Sequence, residues 1–229
     1  MPVGSLSEKA YQHIRHRVFS GDLAPGARLV NRALADELGT SFIPVREAIS
    51  RLASEGVVEQ VAGAGAFVKK FDREEISEIY DVRELFEPFA ASEAARFMTD
   101  HEISGLEVIL KEWTALGDKI LQRKRGATTG DLEKWLDHNE KFHDLMIQGS
   151  RNRFLSKITG ELHVLSLCFS AHRGSPKLLS GGLVKSTLES HKRLLDLLKK
   201  HDSAGASDVV REQLKSGRRS VLTYFDQNA

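Results

Sequence analysis

The chain has a single cysteine, Cys168, so it has no internal disulfide framework and suits a reducing compartment. It has no apolar run of membrane-spanning length, and its N-terminus lacks the apolar core of a secretory signal. These absences point to the cytoplasm and away from a membrane. Net charge is nearly absent too: +1 over 229 residues, with nine Lys/Arg against seven Asp/Glu in residues 1–70. Composition therefore gives no global electrostatic footprint for nucleic acid, and any such function must come from where the charges stand. No GxSxG, HExxH or CxxC signature is present, which argues against hydrolase and redox chemistry. With 41% hydrophobic and 28% charged residues, the chain reads as globular and long enough for two ordinary domains.

What is present is helical periodicity, interrupted once. Leu6, Ala10, Ile14 and Val18 recur at four-residue steps beside Tyr11, and Ser5 with Glu8 fits a capping box, which predicts a first helix stopping at Gly21. GDLAPGARL reads as a turn and a short extended piece. Asn31 is expected to cap a second short helix carrying Leu34, Ala35 and Leu38, ended by Gly39. Ser41 is expected to cap a third, with Pro44 in its first turn and Val45, Ala48, Ile49 and Leu52 on one face. VVEQV and AFVKK are β-prone and joined by the small loop AGAG, a hairpin pattern. Three helices and a hairpin in this order predict a winged helix-turn-helix. From Arg73 the β signals vanish, and helical segments are expected near 73–98, 102–123, 131–149, 151–172, 183–200 and 204–225. The fold class is mainly α: a winged domain over residues 1–71 and an all-α helical bundle over 72–229.

On the third helix Phe42, Arg46 and Ser50 recur every four residues, opposite the apolar stripe. In a helix-turn-helix that face enters the major groove, where Arg binds guanine bidentately. Arg28 and Arg32 are placed to reach the DNA backbone. The bland alternative is that these arginines are ordinary solvated charges.

The stretch from Gly21 to Val68 resembles the GntR family of bacterial regulators. The resemblance is carried by Gly21, Pro25–Gly26, Leu29, Leu34–Ala35, Leu38–Gly39, Ser41, Pro44–Val45–Arg46–Glu47–Ala48, Arg51–Leu52, Glu55–Gly56 and Gly65. It implies DNA contact by Arg28, Arg32, Ser41, Phe42, Arg46, Ser50, Arg51 and Gly65, with Arg46 on the operator. Two positions depart from the family pattern. Phe42 stands where an arginine usually follows the serine, and the wing loop Ala62–Gly63–Ala64–Gly65 has no basic residue. Phe42 either meets a thymine methyl group or packs back onto the domain.

The remainder resembles the helical effector domain of the FadR-type subgroup, the FCD domain. IYDVRELFEPFAASEAA, NEKFHDLMIQGSRN and ESHKRLLDLL with the later REQL carry that likeness. Such domains commonly bind a divalent metal through an Asp or Asn and three histidines, and the metal helps hold a small carboxylate. Position by position this implies Asn139, His143, His191 and Gln213, with Arg83 as a further effector contact. Asn139, His143 and His191 are the metal candidates, for Zn²⁺ or Ni²⁺. Gln213 stands where the third histidine is usual, and an amide oxygen is the weaker ligand. Arg83 either binds the effector carboxylate or pairs with Glu87 one turn on. The resulting expectation is a homodimeric DNA-binding transcriptional regulator, not an enzyme, whose operator affinity responds to a small carboxylate effector. Two rivals stay open: a sensor that has lost DNA binding, and a metal-dependent enzyme.

Overall fold

The computed structural model describes residues 5–160, 162 and 179–228, and among these it shows two compact units that meet between Asp72 and Arg73. The first unit contains α1 (Leu6–Phe19), β1 (Arg28–Leu29), α2 (Asn31–Leu38), α3 (Phe42–Ser54), β2 (Val58–Val61) and β3 (Gly65–Val68). The core follows the apolar spacing: Ala10, Tyr11, Ile14 and Val18 of α1 pack against α3, which contributes Val45, Ala48, Ile49 and Leu52. Leu6, expected on that stripe, is 58% exposed because it is the first residue of the helix and overhangs its start.

Capping differs in detail from the sequence reading. Ser5 accepts a hydrogen bond from the Glu8 amide, but the Glu8 carboxylate turns to Gln12 and Arg51 instead of closing the box. The N-cap of α2 is Val30, not Asn31, which is the first helical residue. Ser41 holds the N-cap position of α3 but makes no side-chain capping bond. The turn between α2 and α3 is made at Gly39, whose φ of 60° lies in the left-handed region that side chains disfavour.

The expected hairpin is β2–β3, antiparallel, with Val61 opposite Gly65. The short extended piece after the Pro25–Gly26 turn also joins it. β1 pairs with β3, Arg28 opposite Phe67 and Leu29 opposite Ala66, giving a three-stranded sheet in the order β1-β3-β2.

The second unit contains α4 (Arg73–Phe97), α5 (Asp100–Gln122), α6 (Thr129–Gly149), α8 (Gly181–Lys199) and α9 (Ser203–Asn228). Residues 153–160 are also helical (α7). The rest of the segment expected as helix to 172, with Cys168, lies outside the described residues. Helix starts are set by local chemistry: Thr99 with Glu102 and Thr128 with Asp131 form complete capping boxes, and the Ser180 hydroxyl caps α8. Arg151 reinforces the first of these, donating to both Glu102 oxygens at 2.6 Å and holding its carboxyl down at about 2. α4 packs chiefly on α9, and α5 packs on α6 and α8, around Leu106, Trp113, Phe142, Met146, Leu194 and Leu198. Among the described residues no helix is long and apolar enough to cross a membrane.

Candidate functional site

In the first unit α3 is divided lengthwise. Pro44, Val45, Ala48, Ile49 and Leu52 are buried, whereas Phe42, Ile43, Arg46, Glu47, Ser50 and Arg51 are exposed. Two of the exposed residues are held by neighbours. The Ser7 hydroxyl donates to Glu47. Arg51 donates to Glu8 at 2.8 Å and to Glu55 at 3.2 Å, with its guanidinium 3.7 Å from the centre of the Tyr11 ring. Tyr11 in turn donates its hydroxyl to Glu55, and its pKa is pushed up to about 12 by burial and by that carboxylate. Arg51, expected on the DNA, also joins α1 to α3 through these contacts while its side chain stays half exposed. Its engagement by α1 separates it from Phe42, Arg46 and Ser50, which form the outward stripe with Ser41 just ahead of them.

Arg28 is brought to the wing by the pairing of β1 with β3. A Cβ at residue 65 would stand 3.4 Å from the Arg28 Nε, and φ there is +111°, so Gly65 serves both the turn and the arginine that lies over it. The loop Ala62–Gly65 has no cation of its own, and β1 supplies one beside it. Arg32 is exposed in the first turn of α2. Among the described residues Arg28, Arg32 and Arg46 make no ion pair, whereas Arg17 and Arg51 do.

In the helical unit the candidate residues come from four helices: Arg83 on α4, Asn139 and His143 on α6, His191 on α8, and Gln213 on α9. His143 and His191 are buried, with their Nε2 atoms 3.2 Å apart. His191 Nδ1 lies 2.8 Å from the Thr187 carbonyl, which can only accept, so Nδ1 carries the proton and Nε2 presents a lone pair. Without a metal, His143 Nε2–H donates to that lone pair. Burial lowers the pKa of both rings to about 3; the Arg83 charge adds to this at His143, and the neighbouring His143 adds to it at His191. Both imidazoles are neutral at physiological pH.

Arg83 and Glu87 form a buried pair, with Nε 2.5 Å and Nη2 3.2 Å from the two carboxylate oxygens. Burial opposes the Arg83 charge, but Glu87 and Tyr80 more than offset it, leaving the guanidinium's pKa above its usual value. Gln213 donates from Nε2 to the Ser190 hydroxyl, and its Oε1 is buried with no hydrogen-bond partner among the described residues. An aromatic surround that helical periodicity does not mark encloses the histidines. Trp113 lies 4.7 Å and Phe142 5.1 Å from His191, centroid to centroid, and Trp135 stands edge-on to Trp113 at 5.1 Å. Trp113 Nε1 is a second buried polar atom with no hydrogen-bond partner among the described residues. In sequence these rings are indistinguishable from ordinary core positions.

Donors at 2.0–2.1 Å from one Zn²⁺ and 90–110° apart are separated by about 2.9–3.4 Å. The imidazole pair fits two positions of one metal, and the Thr187 bond orients His191 as an outer-shell carbonyl does in metal sites. Among the described residues no group of three or more His, Cys, Asp or Glu is present, so further ligands would be amide oxygens.

A winged helix-turn-helix with a basic outward stripe, followed by a helical unit with a buried polar cluster, defines a DNA-binding regulator with a ligand-sensing domain. The comparisons agree. Residues 6–68 match the family described as bacterial regulatory proteins, gntR family, and residues 78–216 match the FCD domain; the chain belongs to the GntR family with an FCD domain. It is 27% identical to the HTH-type transcriptional regulator McbR of Escherichia coli, over 91% of this chain and 89% of that one. It is 26% identical to the HTH-type transcriptional regulator LutR of Bacillus subtilis, over 91% of this chain and 98% of that one. The solved structure of E. coli McbR/YncC superposes with a TM-score of 0.82 at 25% identity, covering 97% of this chain and 100% of that one. The chain is thus a DNA-binding transcriptional regulator with an effector-binding C-terminal domain, not an enzyme.

The Arg83–Glu87 pair is separable from the ligand site by stability. Glu87→Ala leaves a buried guanidinium uncompensated and is expected to cost about 3–5 kcal/mol in urea unfolding. Replacing both, as Arg83→Met with Glu87→Leu, is expected to recover most of that loss. A stable Glu87→Ala protein would mean that Arg83 does not depend on this carboxylate.

Proposed function

We propose that this regulator acts in the cytoplasm as a homodimer, each winged unit docking α3 in one major-groove half-site. The observation that carries the reading is the outward stripe of α3, where Arg46 is exposed and free of ion pairs between Phe42 and Ser50. Arg46 is the base-reading cation, bidentate on guanine. Arg28 and Arg32 hold phosphates, and Ser41 and Ser50 add hydroxyls along the same edge. Arg28 takes the part that a basic wing loop would otherwise play. Because the winged unit has little net charge, non-specific affinity is limited and two copies are needed for a useful specific complex.

The effector is a small carboxylate held in the helical unit. Glu87 already takes the Arg83 fork, so Arg83 neutralises and positions while the ligand's oxygens are met elsewhere. Bound metal would supply that electrophilic centre, with His143 and His191 as imidazole donors and Asn139 and Gln213 as amide oxygens. The Trp113 N–H offers a further donor. The ligand shifts operator affinity by its difference in affinity between two states of the protein. α4 starts five residues after β3 ends and bears Arg83, so it is the element through which such a shift reaches the winged unit.

The second copy is assigned to α4. Val82, Leu85 and Phe89 recur at helical spacing with exposures of 36%, 72% and 51%, an exposed apolar face on α4. On a chain whose operator needs two half-sites, a second copy is the partner that covers it.

Three measurements test these assignments. Arg46→Ala is expected to weaken operator binding by about 1–3 kcal/mol, and Arg28→Ala to weaken it without changing base preference, both by anisotropy at matched salt. Wild-type affinity for Arg46→Ala would show that the docking face is wrong. Light scattering is expected to give about twice the 25.5 kDa chain mass, and Leu85→Glu with Phe89→Glu to give one chain mass; an unchanged dimer would place the interface elsewhere. In calorimetric titration of metal-stripped protein, wild type is expected to prefer Zn²⁺ or Ni²⁺ to Mg²⁺, and Gln213→His to bind more tightly. No gain from the histidine would mean that the four side chains do not converge on one centre.

A further inference from the structure

Two large apolar side chains stand more than half exposed at the start of α3: Phe42 at 54% and Ile43 at 60%. Phe42 does not fold back onto its own unit, although the core of that unit lies one turn away at Val45. The pair shares the exposed edge of α3 with Arg46 and Ser50, and the first turn of a recognition helix is the part that reaches base edges. A phenyl ring and a sec-butyl group can make no hydrogen bond to a base. The apolar group displayed in the major groove is the C5 methyl of thymine, whereas guanine and cytosine present donors and acceptors there. Pressing Phe42 against a guanine edge would strip water from N7 and O6 and return nothing, a penalty as selective as the methyl contact is favourable. An apolar protein partner is disfavoured by the same edge, because Arg46 follows one turn later without an ion pair.

We propose that Phe42 and Ile43 read thymine methyl groups, so that each operator half-site carries thymine where α3 begins, beside the base met by Arg46. The proposal rests on the DNA-docking face assigned above and adds the base class it selects. The uncharged wing loop fits the same scheme. Few cations approach the duplex, so a larger share of specific affinity comes from desolvated methyl contacts, which are insensitive to salt.

The experiment takes the full chain through selection from a random duplex library and then measures anisotropy on the selected duplex. Selection is expected to enrich thymine at the half-site position facing the start of α3. Replacing those thymines with deoxyuridine removes only the methyl, and wild type is expected to lose about fourfold in affinity per contacted methyl, the equivalent of ~0.8 kcal/mol. Phe42→Ala is expected to bind more weakly and to reduce the thymine–deoxyuridine difference, and Phe42→Ala with Ile43→Ala to abolish it. Phe42→Arg is expected to move the selected base from thymine to guanine. Arg46→Ala is expected to bind more weakly with the thymine–deoxyuridine ratio intact. Equal wild-type affinity for the two duplexes, with Arg46→Ala still weakened, overturns this proposal and leaves the docking face standing. Failure to enrich any sequence overturns both.

Discussion

A guanidinium taken out of water costs several kcal/mol unless a carboxylate meets it with good geometry, and α4 buries such a pair one turn apart in Arg83 and Glu87. Much of the polar interior of the helical unit follows from that constraint. Two charges are fixed against each other inside α4, and the histidines beside them are buried. Desolvation and the proximity of Arg83 keep His143 neutral, and desolvation beside His143 keeps His191 neutral. Neutral imidazole is the form that coordinates metal or accepts a proton from a ligand. The same bookkeeping limits what an anion finds here: the cluster carries no uncompensated positive charge until a metal or a rearranged Glu87 provides it.

The winged unit sorts its charges by a related rule at the surface. Arg17 and Arg51 are paired with carboxylates from other helices, and Arg51 stacks on Tyr11, so these cations join α1, α2 and α3 together. Exposed pairs of this kind contribute little to stability. Their effect is positional: they commit the arginines on one side of α3 and leave Arg46 uncommitted on another. β1 does the equivalent for Arg28 by pairing with β3 and laying the side chain over Gly65. A chain with a net charge of +1 thus keeps Arg28, Arg32 and Arg46 without an ion pair among the described residues of the winged unit.

Most of the architecture was legible in the residues because the two periodicities are clean. Val45, Ala48, Ile49 and Leu52 define one helical face, and AGAG between two β-prone runs defines a turn. The extended piece at Arg28–Leu29 was legible as such, but its place in the sheet was not, since two residues carry no alternation and become a strand only by pairing with β3. Asn31 failed as a cap because its good capping chemistry competes with a backbone that turns helical one residue earlier, after Val30. In the helical unit it was the family resemblance that pointed to Asn139, His143, His191 and Gln213, and spacing alone cannot show that two imidazoles lie 3.2 Å apart. Trp113, Trp135 and Phe142 were invisible as site residues because burial demands the same residue types whether they face a ligand or one another. Arg51 illustrates the converse. It matched a DNA-contact position, and the long-range partners Glu8 and Tyr11, which give it another task, have no signature in the local pattern.

Trp113 Nε1 and Gln213 Oε1 are among the buried polar atoms that have no hydrogen-bond partner among the described residues, and they bring these threads together. Leaving a buried donor or acceptor unmet costs about 1–3 kcal/mol each, which is the same size as a typical allosteric coupling energy of roughly 1–3 kcal/mol. A ligand or metal that satisfied either atom would recover that cost only in the state that presents it correctly, and a difference between states is what a regulator needs. The histidine-to-glutamine departure acts on this same quantity. A third imidazole would bind metal tightly in any helix arrangement that kept the ligands together, whereas an amide oxygen contributes less and depends more on exact placement. The Gln213 amide of α9 donates to Ser190 of α8, the neighbour of His191 in the chain, which ties the two helices together at this point.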